Sequence, residues 1–328
     1  MQIIVAQDGT GDYTRIQEAI DHAPDHSKEP ILIYIKNGEY REKLHIEKPG
    51  ITLLGESAES TVIAFDDYAK KAYPSGELYN TFNSYSVLIG ANDFTAKNLT
   101  IANTSGSGDL VGQAVAAYVD GDRIVFDGCR LLGHQDTLFT GPLPEQPMDR
   151  STFGGPKEGA PRVYGRQYYK NCYIEGDVDF IFGSAIAVFD RCEIFSKKRS
   201  ADHAIHGYIT AASTPEQLSY GYVFHQCKLT GDAPKHSVYL GRPWRIHAKT
   251  AFINCWMGEH IHPEGWHNWN KPESEQTTRY CEYNNAGPGA TTDTRVNWSH
   301  QLTPEKACAY AVRDILAGQD GWSPEESI

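Results

Sequence analysis

Short apolar runs recur along the chain, with gaps too brief to hold helices. Ile3–Ala6, Ile31–Ile35, Ile51–Gly55, Thr61–Phe65, Ser86–Ile89, Phe94–Ile101 and Ala114–Val119 read as strands, and Asn37-Gly38 as a turn between two of them. The pattern then tightens into a repeat. Five of the seven cysteines close the phrases Val125–Cys129, Tyr168–Cys172, Val188–Cys192, Val223–Cys227 and Ala251–Cys255, each with an aromatic residue three places before the sulfur. An imperfect repeat of turn-linked strands predicts a solenoid of parallel strands in which equivalent residues stack. A doubly wound sheet is disfavoured, because turns rather than helices alternate with the strands. Two helices are expected at the ends. Residues 14–23 carry Thr14 as a cap, Gln17 three residues on, and Ile16, Ala19 and Ile20 on one face, suited to covering the first open edge. Residues 304–317 start near Pro304, gather Ala307, Ala311, Ile315 and Leu316, and stop at Gly318.

The repeat lets rungs be compared. Asp136 stands seven residues after Cys129, and Asp179 seven after Cys172. If the phrases are successive rungs, the two carboxylates are neighbours about 4.8 Å apart. Between them, residues 141–161 are rich in Pro, Gly and charge and form a loop whose excision leaves an ordinary rung. Residues 262–300 carry Trp266, Trp269 and Trp298 with little periodicity and are expected to wrap the outside. A solenoid lengthens without widening its core, so residues 1–328 read as a single domain.

Composition narrows the partners. A formal net charge of -12 argues against nucleic acid and anionic membranes. The repeat cysteines read as a ladder of small buried thiols whose parallel side chains suit disulfides poorly. No CxxC pair marks a zinc site, and His203 with His206 lacks a third ligand. No apolar stretch is long enough to cross a membrane, and no charged-then-apolar leader precedes Ile3. The expectation is a cytoplasmic monomer, with a secreted protein whose leader has been removed as the alternative.

Asp179 lies in the apolar run Val178–Gly183, where a carboxylate needs a partner or a task. Two carboxylates one rung apart should hold protons unequally, as a nucleophile and a general acid require. Turn amides satisfying an aspartate ladder are the structural alternative. Gln113 and Gln135 are neutral donors suited to a developing oxyanion. Arg242, extended before Pro243, can orient a carboxylate through its planar fork. Trp244 suits either a sugar face or the core.

These residues resemble the pectin methylesterase family. The likeness runs in order through Gly11–Ile20, Asn103–Gly106, Gln113–Ala116, Gly133–Leu138, Asp177–Gly183 and Leu240–Trp244, with Pro263–Trp266 and Arg295–Trp298 beyond. The resemblance implies a right-handed parallel β-helix. It implies hydrolysis of galacturonate methyl esters, in pectin or methylated oligogalacturonides, without a metal or other cofactor. By motif position Asp179 would be the nucleophile and Asp136 the acid and then base. Gln113 and Gln135 would form the oxyanion hole, Arg242 would hold Asp179, and Trp244, Phe82 and Phe180 would line the groove. Three features depart from the family: the length of loop 141–161, His134 where Tyr is frequent, and the missing leader.

Two other solenoid chemistries compete. A lyase needs a calcium-binding carboxylate cluster, for which Asp136 and Asp179 alone are too few. A polygalacturonase needs an acid/base pair across a glycosidic bond, and a rung-spaced pair at about 5 Å passes for a retaining one. A non-catalytic carbohydrate-binding solenoid is the third alternative, and the intact Gln/Gln/Asp/Asp/Arg set speaks against it.

Overall fold

The computed structural model describes the whole chain except residues 26, 28, 149, 150, 201 and 325–328. Among the described residues the strands form three parallel sheets of eleven, seven and eight strands. Successive rungs contribute one strand to each sheet, and the chain winds as a right-handed parallel β-helix. One continuous apolar core fills the interior from Ile3 to Tyr280.

Each cysteine phrase turns a corner. The residue just before the cysteine has left-handed φ: Gly128 +63°, Asn171 +51°, Arg191 +52°, Gln226 +54° and Asn254 +55°. This single left-handed residue redirects the chain from the eleven-stranded to the eight-stranded sheet. The same device breaks Phe94–Ile101, read from sequence as one strand. It forms Thr95–Lys97 and Thr100–Asn103, with Asn98 at φ +50° between them.

Inside the corner the aromatic rings stack. Phe126, Tyr169, Phe189, Phe224 and Phe252 have successive ring centroids 5.0, 4.7, 4.5 and 4.5 Å apart, with planes within 12° of parallel. The thiols of Cys172, Cys192, Cys227 and Cys255 donate to the carbonyls of Phe126, Tyr169, Phe189 and Phe224, each one rung earlier, at 3.2–3.5 Å. Burial pushes the Cys129, Cys172, Cys192 and Cys227 thiols well above their usual range, so they act as small apolar groups with a weak donor. Phe189→Ala, in the middle of the stack, is expected to cost about 3–5 kcal/mol of stability. Urea unfolding checks this, and a cost below about 1 kcal/mol would show that the ladder collapses around the gap.

Both ends are closed, but not as the sequence proposed. The first helix, Ile16–His22, buries Ile16, Ala19 and Ile20. Its cap is not Thr14. The Glu42 carboxylate, distant in sequence, accepts from the amides of Ile16 (2.9 Å) and Gln17 (3.2 Å). The C-terminal helix is broken. Thr303 caps Pro304–Ala307, a 3-10 turn spans Cys308–Tyr310, and extended Ala311 separates these from Val312–Leu316. Val312, Ile315 and Leu316 then cover Val125, Tyr168, Val188 and Val223 on the outer face of the eleven-stranded sheet. Trp266 also departs from expectation. It lies fully buried in the core, stacked on Tyr280 at 4.1 Å, because the last rungs need a lid as much as the first.

Candidate active site

The site lies on the outer face of the seven-stranded sheet. Along its strands, inward residues such as Val87, Ala117, Leu138 and Ile181 join the core. Their outward neighbours Leu88, Tyr118, Phe139, Phe182 and Ala211 pair rung by rung into an apolar floor. Phe82, in the 3-10 turn Thr81–Asn83, packs edge-on against Phe139 at 5.2 Å. Trp244 lies at one side, 6.3 Å from Phe82 and 5.8 Å from Phe182.

The register that links the two aspartates holds. Leu131 pairs with Ile174 and Leu138 with Ile181, so Asp136 and Asp179 occupy equivalent places on adjacent rungs. The Asp136 amide donates to Val178 O at 3.0 Å, tying the two turns together. Both aspartates have left-handed backbones, φ +65° at Asp136 and +52° at Asp179. Such residues are sparse outside glycine and cost on the order of 1–3 kcal/mol, which the stacked turns on either side sustain. The twist turns both carboxylates off the sheet into the same cavity, each only 6–7% exposed.

Arg242 grips Asp179 with both arms of its fork. Nε donates to Oδ1 at 2.8 Å and Nη2 to Oδ2 at 2.7 Å. The guanidinium is held between two rings, 3.9 Å from the Tyr208 centroid and 3.7 Å from that of Trp269. Burial pulls the Arg242 pKa down, but the charge of Asp179 outweighs it and the net direction is upward. The two-armed contact fixes the Asp179 carboxylate in one orientation.

The cavity holds about 390 Å³. Gln113, Gln135, Asp136, Asp179, Arg242 and Trp244 all line it, with Phe82. The side-chain amides of Gln113 and Gln135 make no hydrogen bond to another described residue. Gln135 reaches the cavity past Gly108, where a Cβ would stand 2.8 Å from its own Cβ. Beneath the two turns, His134 Nδ1 is 3.4 Å from Oδ2 of buried Asp177, and Asp177 Oδ1 accepts from the Val178 amide at 2.6 Å. Asp177 thus braces the turn that presents Asp179.

One sequence-derived groove residue is misplaced. Phe180 is fully buried in the core, not in the groove. The left-handed Asp179 interrupts the strand's alternation with a register shift between Val178 and Ile181. Phe180 and Ile181 both turn inward, and Phe182 takes the groove position. Gly176 makes room, since a Cβ there would meet the Phe180 Cβ at 2.2 Å. Sequence reading also missed Trp269, Tyr208 and Phe153. Trp269 was assigned to an outer wrap, and no local signal marks it. A left-handed backbone, φ +56°, aims it at Arg242.

Loop 141–161 packs behind the aromatic residues of the cavity, with residues 149 and 150 outside the described ones. Leu143 and Phe153 are buried against the floor, with Phe153 5.5 Å from Phe82 and 6.2 Å from Trp244. Gly154 O accepts from Asn80 Nδ2 at 3.3 Å, and Gln146 O from Arg245 Nη2 at 2.7 Å.

A fixed carboxylate, a second carboxylate and two free amides around an aromatic-walled cavity on a β-helix define a polysaccharide-ester hydrolase. Comparison gives the family. The profile described as Pectinesterase matches residues 2–143 and 161–319. Pectinesterase 31 of Arabidopsis thaliana is 36% identical over 310 residues, 92% of this chain and 88% of its own length. Carrot pectin methylesterase superposes with a TM-score of 0.81 at 30% identity, covering 99% of this chain and 96% of its own. The Erwinia chrysanthemi pectin methylesterase PemA gives 0.79 at 30% identity, covering 98% of both chains. The chain belongs to the pectinesterase family of carboxylic ester hydrolases. The profile match skips residues 144–160, within that loop.

Proposed function

We propose that this protein hydrolyses galacturonate methyl esters in pectin or methylated oligogalacturonides, with Asp179 as nucleophile. The observation that carries the reading is the bidentate Arg242–Asp179 pair in rung register with Asp136. A solved pectin methylesterase in complex with a hexasaccharide, 31% identical over 98% of this chain, supports a carbohydrate ligand.

Asp179 Oδ attacks the ester carbonyl carbon, and the carbonyl π electrons move to oxygen. Gln113 and Gln135 donate to that oxyanion. As it collapses, the C–O bond to methoxide breaks and protonated Asp136 supplies the proton, so methanol leaves. The galacturonate acyl group is then joined to Asp179 as an anhydride. Asp136, now a carboxylate, takes a proton from water, the hydroxide adds to the acyl carbon, and Asp179 departs as the carboxylate that Arg242 stabilises. The sum is ester plus water to acid plus methanol. Arg242 keeps Asp179 aligned through both displacements.

The deciding assay follows three products from methyl-esterified polygalacturonate. Methanol without new reducing ends or unsaturated termini is expected. New reducing ends would mean a glycosidase, and unsaturated termini a lyase.

The loop suits the enzyme to short chains. Its Phe153 packs edge-on against Trp244, which lines the cavity. Deleting residues 144–160 is expected to raise methanol release from long pectin relative to methylated oligomers. An unchanged ratio of the two rates would leave the loop without a selective role.

A further inference from the structure

A second cavity lies apart from the catalytic one. It holds about 630 Å³, within the range of about 300–1,000 Å³ typical of ligand sites. It lies on the eleven-stranded sheet, between the strands Arg279–Tyr283 and His300–Gln301 and the segment bearing Lys306 and Tyr310. Its walls present Arg279, His300 and Lys306 beside the rings of Tyr220 and Tyr310. Among the described residues no aspartate or glutamate lines it.

The charges there are unbalanced. Arg279 and Lys306 make no ion pair with any described residue, whereas Arg166, Arg242 and Arg295 each grip carboxylates. A narrower recess beside the cavity adds Lys249, whose strand position pairs directly with Arg279. Like charges opposite each other on adjacent strands destabilise the pair. The Lys249 ammonium rests on the backbone carbonyls of Glu216 and Leu218, not on a carboxylate. Burial, and then Arg279, hold it below the ordinary lysine range. Acids on the neighbouring elements face elsewhere or outward: Glu282 is turned inward onto Arg295, Glu216 is exposed beside His247, Glu305 is exposed next to Lys306, and Asp314 reaches the field of Tyr220 from the following helix. In a chain of net charge -12, such a concentration of unpaired cations in a cleft calls for an anion.

We propose that this cleft is a second carbohydrate site that binds de-esterified oligogalacturonate, separate from the catalytic cavity. The ligand assignment rests on the reading that the reaction leaves such a chain. Its repeated carboxylates suit the charges of Arg279 and Lys306, and its ring faces suit Tyr220 and Tyr310. Binding there would hold product chains on the enzyme while the groove works elsewhere on the polymer.

The test compares the wild-type chain with the double variant Arg279→Glu/Lys306→Glu, using trigalacturonate, its full methyl ester and inorganic phosphate as probes in calorimetry. Both altered residues are exposed and touch nothing in the catalytic cavity. Trigalacturonate is expected to bind the wild type in a salt-sensitive manner and with protection of residues 299–310 from hydrogen exchange. The double variant should lose that protection and weaken this binding by about tenfold or more. Its methanol release from short methylated oligomers should be unchanged. The proposal is overturned if trigalacturonate protects residues 299–310 equally in both proteins or in neither. It is equally overturned if phosphate or the methyl ester binds the cleft as tightly as the acid. A chain that binds trigalacturonate in the cleft but releases no methanol would sink the catalytic reading and leave the site standing.

Discussion

Asp179→Ala will lower methanol release by about a thousandfold or more while the β-helix stays folded. Losing the attacking group removes the covalent path altogether. The fold should tolerate the change because the neighbouring rungs pair on either side of the turn. Two local costs are expected. Alanine at a left-handed φ is strained by about 1–2 kcal/mol. Arg242 also loses the carboxylate it grips, although Tyr208 and Trp269 still sandwich it. The melting temperature should therefore fall, with far-UV circular dichroism unchanged. Asp179→Asn separates the two effects, since asparagine accepts left-handed backbone more readily and is still no nucleophile. More than about a tenth of wild-type activity in either variant would remove Asp179 from the nucleophile's role.

Asp136→Asn is expected to lower kcat by about 10²–10⁴-fold with KM nearly constant. The amide keeps the shape of the turn, whose register depends on the backbone bond from Asp136 N to Val178 O. It cannot deliver a proton to methoxide or take one from water. An activated aryl ester, whose leaving group needs no proton, should recover much of the loss in the acylation step. Burst kinetics on such an ester would show rapid acylation followed by slow hydrolysis of the acyl-enzyme. A variant with normal kcat and raised KM would make Asp136 a binding group instead.

Much of the site was readable without coordinates because a solenoid converts sequence spacing into spatial stacking. The interval from Cys129 to Cys172 equals that from Asp136 to Asp179, and strand pairing preserves it from Ile124–Gln167 to Thr140–Gly183. An inserted loop does not disturb such a count, since it leaves and re-enters at one corner. Gln113, Gln135 and Arg242 were legible as polar groups in otherwise apolar or turn-forming phrases.

Other features were illegible for identifiable reasons. Phe180 follows the ordinary alternation of a strand, and only the left-handed turn at Asp179 sends it inward. Thr14 has the chemistry of a cap, but a carboxylate from Glu42 reaches the helix first. Trp266 and Trp269 lie three residues apart in an aperiodic stretch, yet one seals the core and the other backs the arginine. The basic cleft is assembled from Tyr220, Arg279 and Lys306, which no repeat or motif connects.

The stacked parallel strands, their rung register and the meeting of Asp136 with Asp179 were readable from the chain, because each follows from local periodicity carried forward rung by rung. Which side chain faces the groove, what caps each end, how loop 141–161 packs behind the cavity and where unpaired charge collects were settled only in three dimensions. Those outcomes depend on one left-handed residue reversing a strand's alternation and on groups far apart in the chain competing for the same buried donors and acceptors.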